Sequence, residues 1–154
     1  THATSAGRKL RKQGLIAGHV TVFVMIRFYQ DEQRYFESAS VSLPVASSYS
    51  PDIITAAKEC VKKLYKPGAI YKKVGIILND LVDQECMQMH LYESGKDTSK
   101  QSGAMAAFDR VTTKWGTEKL TFAATGVDHH WQVKKEKKSP NFTTSWHELP
   151  KVES

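Results

Sequence analysis

The sequence lacks any apolar run close to the roughly 20 residues that a membrane-spanning helix needs. Its first residues, THATSAGRKLRKQG, have no apolar core of the kind found in a secretory signal. Two cysteines, Cys60 and Cys86, are too few for a disulfide framework and fit free, structural thiols in a reducing compartment. These absences disfavour a membrane protein and a disulfide-rich secreted protein, and they predict a cytoplasmic one.

The chain also lacks a tail or block of one charge sign. Its 22 basic and 16 acidic residues leave a formal charge of +6, and the halves before and after Cys86 are both basic. Hydrophobic residues make up 40% of the 154 positions, which is enough for a packed core in one or two small domains. Partners therefore have to be inferred from local runs and not from overall charge.

Motifs of enzyme active sites are missing. The sequence has no GxSxG, Walker-type or GxGxxG pattern. The pairs Asp31/Glu32 and Asp80/Asp83 fall in predicted turns, where carboxylates bind backbone groups. Six histidines include one candidate cluster, but its spacing is not that of a metal site: His129, His130 and His147. We predict no catalytic residue, no metal site and no cofactor.

The first half has the pattern helix, strand, strand, helix, strand. A basic helix over 5–13 ends at Gly14, and HVTVFVMIRF is a strand that is apolar on both faces and therefore central. After the turn-rich FYQDEQRY, ESASVSLPV alternates apolar and serine residues and is closed by Pro44.

The second helix of this half begins with Ser50 as its N-cap and Pro51 at its first position. Its apolar face comprises Ile54, Ala57, Val61 and Leu64. The following strand, IYKKVGIIL, is expected to have Ile70, Val74, Ile76 and Leu78 largely on one face.

The second half begins after a polar run, ESGKDTSKQSG, that has the composition of a linker. Beyond it, Met105, Phe108, Val111 or Thr112, and Trp115 mark an amphipathic helix that ends at Gly116. KLTFAATG is predicted to be a strand, and a basic run leads from it into SPNFTTSWHELPKV. The predicted domains are 1–85 and 104–154, joined by 86–103.

Two groups of residues could bind partners. Lys72 and Lys73 in the last strand, together with Arg27, Ser40 and Ser42, either form a solvated sheet edge or bind phosphates through cations and small hydroxyls. Because side chains alternate along a strand, both lysines leave the same face only at an edge or a bulge.

The second group is a short apolar segment before the linker. It either packs locally or fills pockets on a partner as a linear motif: Gln88, Met89, His90, Leu91 and Tyr92.

Several segments resemble, in order, the little finger domain of UmuC-type DNA polymerases, which are Y-family translesion enzymes: RKLRKQG, SASVSLP, SPDIITAAKECVKKLY and YKKVGIILNDL. Others resemble the C-terminal segment peculiar to the UmuC branch: MAAFDRVTTKWG, LTFAATGV, Trp131 with its basic run, and SPNFTTSWHELPKV. The resemblance covers nearly the whole chain. QMHLY lies where the family carries its clamp-binding pentapeptide, usually QLxLF.

The resemblance implies an α+β fold, in which a β-α-β-β-α-β sheet with helices on one face holds duplex DNA mainly through phosphates. It assigns Lys72, Lys73, Ser40 and Ser42 to DNA contacts and residues 88–92 to the β sliding clamp. These residues are expected to begin inside the first helix of that pattern and to lack its first strand, so the sheet is expected to have an uncovered edge or a strand from another copy. A small α+β segment is expected after the linker.

The resemblance also implies protein partners and the absence of catalytic residues from this region. The processed UmuD dimer and RecA would bind the full polymerase, whereas the palm domain with its magnesium-binding carboxylates is absent from these residues. We expect a non-catalytic C-terminal region of an error-prone lesion-bypass polymerase of the SOS response. An independent nucleic-acid-binding regulator is the alternative, and a small hydrolase would need a catalytic constellation that the sequence does not contain.

Overall fold

The computed structural model describes residues 1–28, 34–86, 98–117, 119–126 and 139–149. The helices are α1 (His2–Gln13), α2 (Ser50–Leu64) and α3 (Thr98–Trp115), and the strands are β1 (Leu15–Phe28), β2 (Arg34–Ser47) and β3 (Ala69–Asp83). Single 3-10 turns lie at Gln84–Cys86, Ala123–Thr125 and Trp146–Glu148. The order of elements up to Asp83 is helix, strand, strand, helix, strand, as predicted.

The three strands form one antiparallel sheet in the order β2-β1-β3. Strand β1 is central, and the side chains of Val20, Val22, Val24 and Ile26 on one of its faces are buried. Both α1 and α2 pack on that face: Leu10 of α1 and Ile53 of α2 share a core with Val20, and Cys60 and Leu64 of α2 share one with Ile26. The fold is therefore α+β with the sheet's helices on one side, which confirms the predicted class.

Helix α1 ends where the sequence predicts. Gly14 has a left-handed backbone with φ of 69°, and its amide donates to the carbonyl oxygens of Leu10 and Arg11. Glycine adopts this conformation without the steric cost of a Cβ, so it terminates the helix and β1 follows directly at Leu15.

Helix α2 differs from the prediction in its start and in its buried face. The N-cap is Tyr49, and Ser50 is already helical and fully buried. The buried face contains Ile53, Ala56, Cys60 and Leu64, whereas Val61 is exposed. Apolar residues occur at adjacent helical positions in this sequence, so the pattern alone does not decide which of two neighbouring stripes faces the sheet.

Strand β2 shows the predicted alternation, with Ala39, Val41 and Leu43 turned to the core side and the serines at 38, 40 and 42 exposed. Pro44 does not close the strand, which continues to Ser47. The pairing register shifts at this point, because residues 43–46 lie opposite the single residue Gly18 of β1. A proline is tolerated in such an irregularity because its missing amide interrupts no regular ladder.

Strand β3 has an irregularity at Lys72. Lys73 pairs with Met25 and Tyr71 pairs with Ile26, so Lys72 is an extra residue without an opposite partner. The shift places Ile70 opposite Arg27. Ile70 therefore lies on the face of the sheet away from the helices. The prediction that Ile70 shares a face with Val74, Ile76 and Leu78 is wrong for this reason.

In the described part of the chain β3 pairs only with β1, so its other edge is unpaired. This arrangement is compatible with the uncovered edge expected of a sheet that is one strand short. Charged side chains along such an edge oppose its pairing with other strands, and β3 carries two lysines and two aspartates: Lys72, Lys73, Asp80 and Asp83.

Helix α3 begins at Thr98, so the last six residues of the predicted linker are helical. Gly116, with φ of 94°, follows its last residue as predicted. The strand predicted over 119–126 is absent; the structure has a 3-10 turn there, in which Phe122 stacks on Phe108 with ring centroids 4.8 Å apart. Packing of Phe122 on α3 replaces strand pairing, because this segment has no neighbouring strand among the described residues.

Candidate nucleic-acid interface

The face of the sheet opposite the helices is here called the open face. The cross-strand register places alternate residues of each strand on it. Its described positions are Phe36, Ser38, Ser40 and Ser42 of β2, His19, Thr21, Phe23, Met25 and Arg27 of β1, and Ile70, Lys73, Gly75, Ile77 and Asn79 of β3. Four of the five residues predicted to contact DNA, namely Arg27, Ser40, Ser42 and Lys73, thus lie on one face.

Lys72 occupies the extra position next to Lys73 and is exposed. The bulge and the edge position of β3 are the two conditions under which neighbouring lysines escape strict alternation. Within the described residues neither lysine forms an ion pair, whereas Lys66 pairs with Glu37 and Arg11 with Asp109. The charges of Lys72 and Lys73 are therefore not neutralised by a described carboxylate.

Polar side chains on the open face form a hydrogen-bonded row. Asn79 Nδ2 donates to Thr21 Oγ1 over 3.0 Å, and Thr21 Oγ1 lies 2.8 Å from Ser40 Oγ. Thr21 accepts from Asn79, and either hydroxyl can donate in the contact between Thr21 and Ser40, because each has one proton and two lone pairs. Ser40 therefore ends this row with an exposed hydroxyl that can contact a group above the sheet.

A second group joins the three strands beside this row. Ser42 Oγ lies 2.8 Å from His19 Nε2, and His19 Nδ1 lies 2.6 Å from Asp80 Oδ2. Asp80 has a left-handed backbone with φ of 51°, which aspartate tolerates better than most residues. In the neutral tautomer with its proton on Nδ1, His19 accepts the proton of Ser42, so Ser42 offers only lone pairs.

An aromatic pair lies on the open face between the polar row and the cations. The rings of Phe23 and Phe36 are stacked with centroids 5.5 Å apart, and Phe36 is 64% exposed. The ring of Phe23 also lies across β3, because a Cβ at Gly75 would be 2.2 Å from its Cζ. Neither ring is among the residues predicted from the sequence to bind a partner; the signal for Phe23 is its period-two spacing with Met25 and Arg27.

A cavity among the described residues lies on the side of the sheet that carries the helices. A groove of about 1500 Å³ runs between α1, α2, the end of β2 and α3. Arg11 spans it with paired hydrogen bonds of 2.7 and 2.8 Å to the carboxylate of Asp109. Its walls carry both signs of charge, including Lys12, Asp52 and Glu59. The groove contains none of the predicted DNA residues except Ser42.

The other predicted sites lie largely beyond the described residues. Residues 88–92, the predicted clamp-binding segment, are outside them, as are His129 and His130. Among the residues that the structure does describe, no group of three or more metal-binding side chains occurs. No described helix is both long enough and apolar enough to cross a membrane.

Comparison with known proteins adds family information to this geometry. The family model of the impB/mucB/samB family C-terminal domain matches residues 1–91, which is more than half of the chain. The chain belongs to the impB/mucB/samB family. A second model, a domain of unknown function named DUF4113, matches residues 103–152 of this family member.

Relatives of this impB/mucB/samB family chain match it along almost its entire length. Protein UmuC of Salmonella typhimurium is 31% identical over 153 residues, which cover 99% of this chain and 36% of the relative. Protein SamB is 31% identical over 150 residues and Protein ImpB 30% over 150, both from Salmonella typhimurium, covering 97% of the chain and 35% of each relative. The chain thus spans about a third of the length of these curated relatives, and the resemblance to the UmuC-type family is confirmed.

Proposed function

We propose that this chain is the C-terminal, non-catalytic region of an error-prone translesion DNA polymerase, and that its open face holds template-primer DNA by the phosphate backbone. The observation that carries the proposal is the convergence of Arg27, Lys73 and Ser40 on a sheet face with no described helix over it. Membership of the impB/mucB/samB family supports the polymerase context.

The chemistry of the open face suits phosphate better than base edges. Arg27 and Lys73 supply positive charge, which releases counterions when it replaces them on DNA. Ser40 contributes an exposed hydroxyl at the end of the hydrogen-bonded row Asn79, Thr21, Ser40. These contacts position a duplex without reading its sequence, so binding should be tolerant of sequence.

A second contact in the same proposal is the β sliding clamp, bound by residues 88–92 as an extended peptide. The processed UmuD dimer and RecA are proposed as further partners of the full polymerase, which would act in the bacterial cytoplasm during the SOS response. Catalysis and magnesium binding are assigned to a palm domain outside these residues, because two-metal phosphoryl transfer needs a carboxylate pair around the ions.

The alternative is an independent nucleic-acid-binding regulator. It would have the same open face, but its gene would not encode a polymerase palm domain upstream of these residues. The relatives are about three times as long as the matched region, which favours the polymerase. Sequencing the gene upstream of the codon for Thr1 decides between them: palm carboxylates in the same reading frame support the polymerase, and a start codon at that point supports the regulator.

Binding to a labelled duplex over a range of salt concentrations tests the DNA contact. Affinity should fall steeply with salt, and the Lys72→Ala/Lys73→Ala variant should have a salt slope lower by about one unit for each lost phosphate contact. Lys62→Ala/Lys63→Ala is the matched control, because it removes an adjacent lysine pair from the last turn of α2 on the helix side. Equal slopes for the two variants would contradict the assignment of the open face.

A further inference from the structure

Phosphate contacts leave the Phe23–Phe36 pair unexplained. Phe36 lies on the edge strand β2 with 64% of its surface exposed, although a phenylalanine on a sheet normally packs against another layer. Its stacking on Phe23, and the absence of a side chain at Gly75, give a flat aromatic surface that extends from β2 across β1 to β3.

The residues around this aromatic surface indicate which kind of molecule it binds. Met25 pairs with Phe36 on one side and with Lys73 on the other, and Arg27 follows two residues later on the same face. Ser38 and Ser40 border the pair at its other end. The core of a protein-protein contact is depleted in charge, whereas aromatic rings beside cations are typical of single-stranded nucleic-acid sites.

A fully paired duplex does not fit the rings. Paired bases present only their edges in the grooves, because their faces are stacked on one another. An unpaired base offers a free face to an aromatic side chain. Strand neighbours are about 4.8 Å apart, so Phe36 and Lys73 are separated by about 10 Å, and one oligonucleotide can reach both.

We propose that Phe36, supported by Phe23, is a stacking site for an unpaired nucleobase, with Lys73 and Arg27 binding the adjoining phosphates. The open face therefore binds single-stranded DNA or a duplex with an extrahelical base more tightly than a fully paired duplex. This inference rests on the proposed function, since it assigns the type of DNA that the same face prefers.

The test compares three probes by fluorescence anisotropy: a short oligothymidylate, a duplex with one extrahelical thymine, and the same duplex fully paired. Phe36→Leu keeps an apolar side chain but removes the ring, and it should weaken binding to the first two probes by about fivefold or more. Binding to the paired duplex should change little. Phe36→Trp should restore or improve binding to the unpaired probes.

Tyr65→Leu is the matched control, because Tyr65 is an equally exposed ring stacked on Tyr71 but lies at the end of α2. It should leave all three affinities unchanged. If Phe36→Leu binds the unpaired probes like the wild type while the duplex still binds with a steep salt dependence, the stacking site is wrong and the phosphate contacts stand. If no probe binds at low salt, both proposals fail. Concentration-dependent dimerisation abolished by Phe36→Leu would assign the rings to a second copy instead.

Discussion

Arg11 and Asp109 join the two parts of the chain that match different family models. Arg11 lies in α1 and Asp109 in α3, and both guanidinium-carboxylate hydrogen bonds are shorter than 3 Å, at 2.7 and 2.8 Å. The Arg11 side chain is only 13% exposed, and its Nη1 also donates to the carbonyl oxygen of Ser48 and to Ser50 Oγ. One side chain thus connects α1, the β2–α2 connection and α3.

Removing the carboxylate should detach α3 from the sheet domain. Asp109→Ala leaves the largely buried guanidinium of Arg11 without its charged partner, so we expect a loss of about 1–2 kcal/mol in the free energy of unfolding. Amide hydrogen exchange should accelerate over residues 98–115 more than in β1. Arg110→Ala is the control, since Arg110 is the exposed neighbour on the same helix. Unchanged exchange in α3 of the Asp109 variant would show that Met105, which is buried, holds the helix without the ion pair.

The order of elements was predictable because local signals agree with the final packing. Gly14 ends α1, alternating apolar residues define β1 and β2, and Gly116 ends α3. The wrong predictions for α2 and β3 have a common cause: the sequence is compatible with more than one alignment of these elements, and contacts with neighbouring elements determine which alignment forms. The buried stripe of α2 and the face of Ile70 both depend on how neighbouring elements align and not on local periodicity.

The candidate site was predictable only in its charged and hydroxyl residues. Lysine, arginine and serine at alternating positions indicate phosphate binding from the sequence. The roles of His19, Asn79 and Phe36 depend on pairing across strands, as when Asn79 meets Thr21 fifty-eight positions away. The same register gives Ser40 and Ser42 different hydrogen-bond partners, Thr21 and His19, although the two serines look equivalent in the sequence.

The bulge at Lys72 yields a prediction about register. Deleting Lys72 should remove the bulge and leave residues 69–71 on their present faces, because Tyr71 would then precede Lys73 directly and keep its pairing with Ile26. Tyr71 would also keep its hydrogen bonds, in which its hydroxyl accepts from the amide of Lys66 over 2.7 Å and donates to the carbonyl oxygen of Leu64. We therefore expect the free energy of unfolding, measured in urea, to change by less than about 1 kcal/mol.

Lys72→Ala keeps the residue count and should cost little, so it separates the effect of the bulge from that of the charge. A deletion variant less stable than Lys72→Ala by about 2 kcal/mol or more would contradict this register, because it would mean that the packing of residues 69–71 requires the extra residue.

The thiol of Cys60 should be inert in the folded protein. Its side chain is fully buried, and its Sγ lies 3.6 Å from the carbonyl oxygen of Val20. Burial raises the pKa of this thiol, because the thiolate is poorly solvated there. Because the folded-state pKa is raised, burying the neutral thiol contributes fully to the free energy of unfolding below the pKa of the unfolded thiol. That contribution is lost as the pH rises through the folded-state pKa of Cys60.

In a Cys86→Ser background, the rate of reaction of Cys60 with a disulfide reagent should therefore be limited by the small fraction of molecules in which unfolding exposes the thiol. Urea should accelerate the reaction in proportion to the unfolded fraction. Rapid modification under native conditions, at a rate independent of urea, would contradict the burial of Cys60.

The last prediction concerns residues 88–92, which we expect to bind the bacterial β clamp as an extended peptide. Gln88 offers an amide that donates and accepts at a polar rim, while Leu91 and Tyr92 present apolar groups to adjoining pockets. A few buried anchors usually dominate such contacts, so Leu91→Ala/Tyr92→Ala should weaken clamp binding by about thirtyfold or more, or about 2 kcal/mol. His90→Ala is the matched control and should cost little, because alternation along an extended peptide turns His90 to solvent between Met89 and Leu91. Calorimetric titration of the clamp measures the three affinities, with circular dichroism confirming that each variant is folded. Wild-type affinity in a folded double variant would leave the segment with a role in local packing alone.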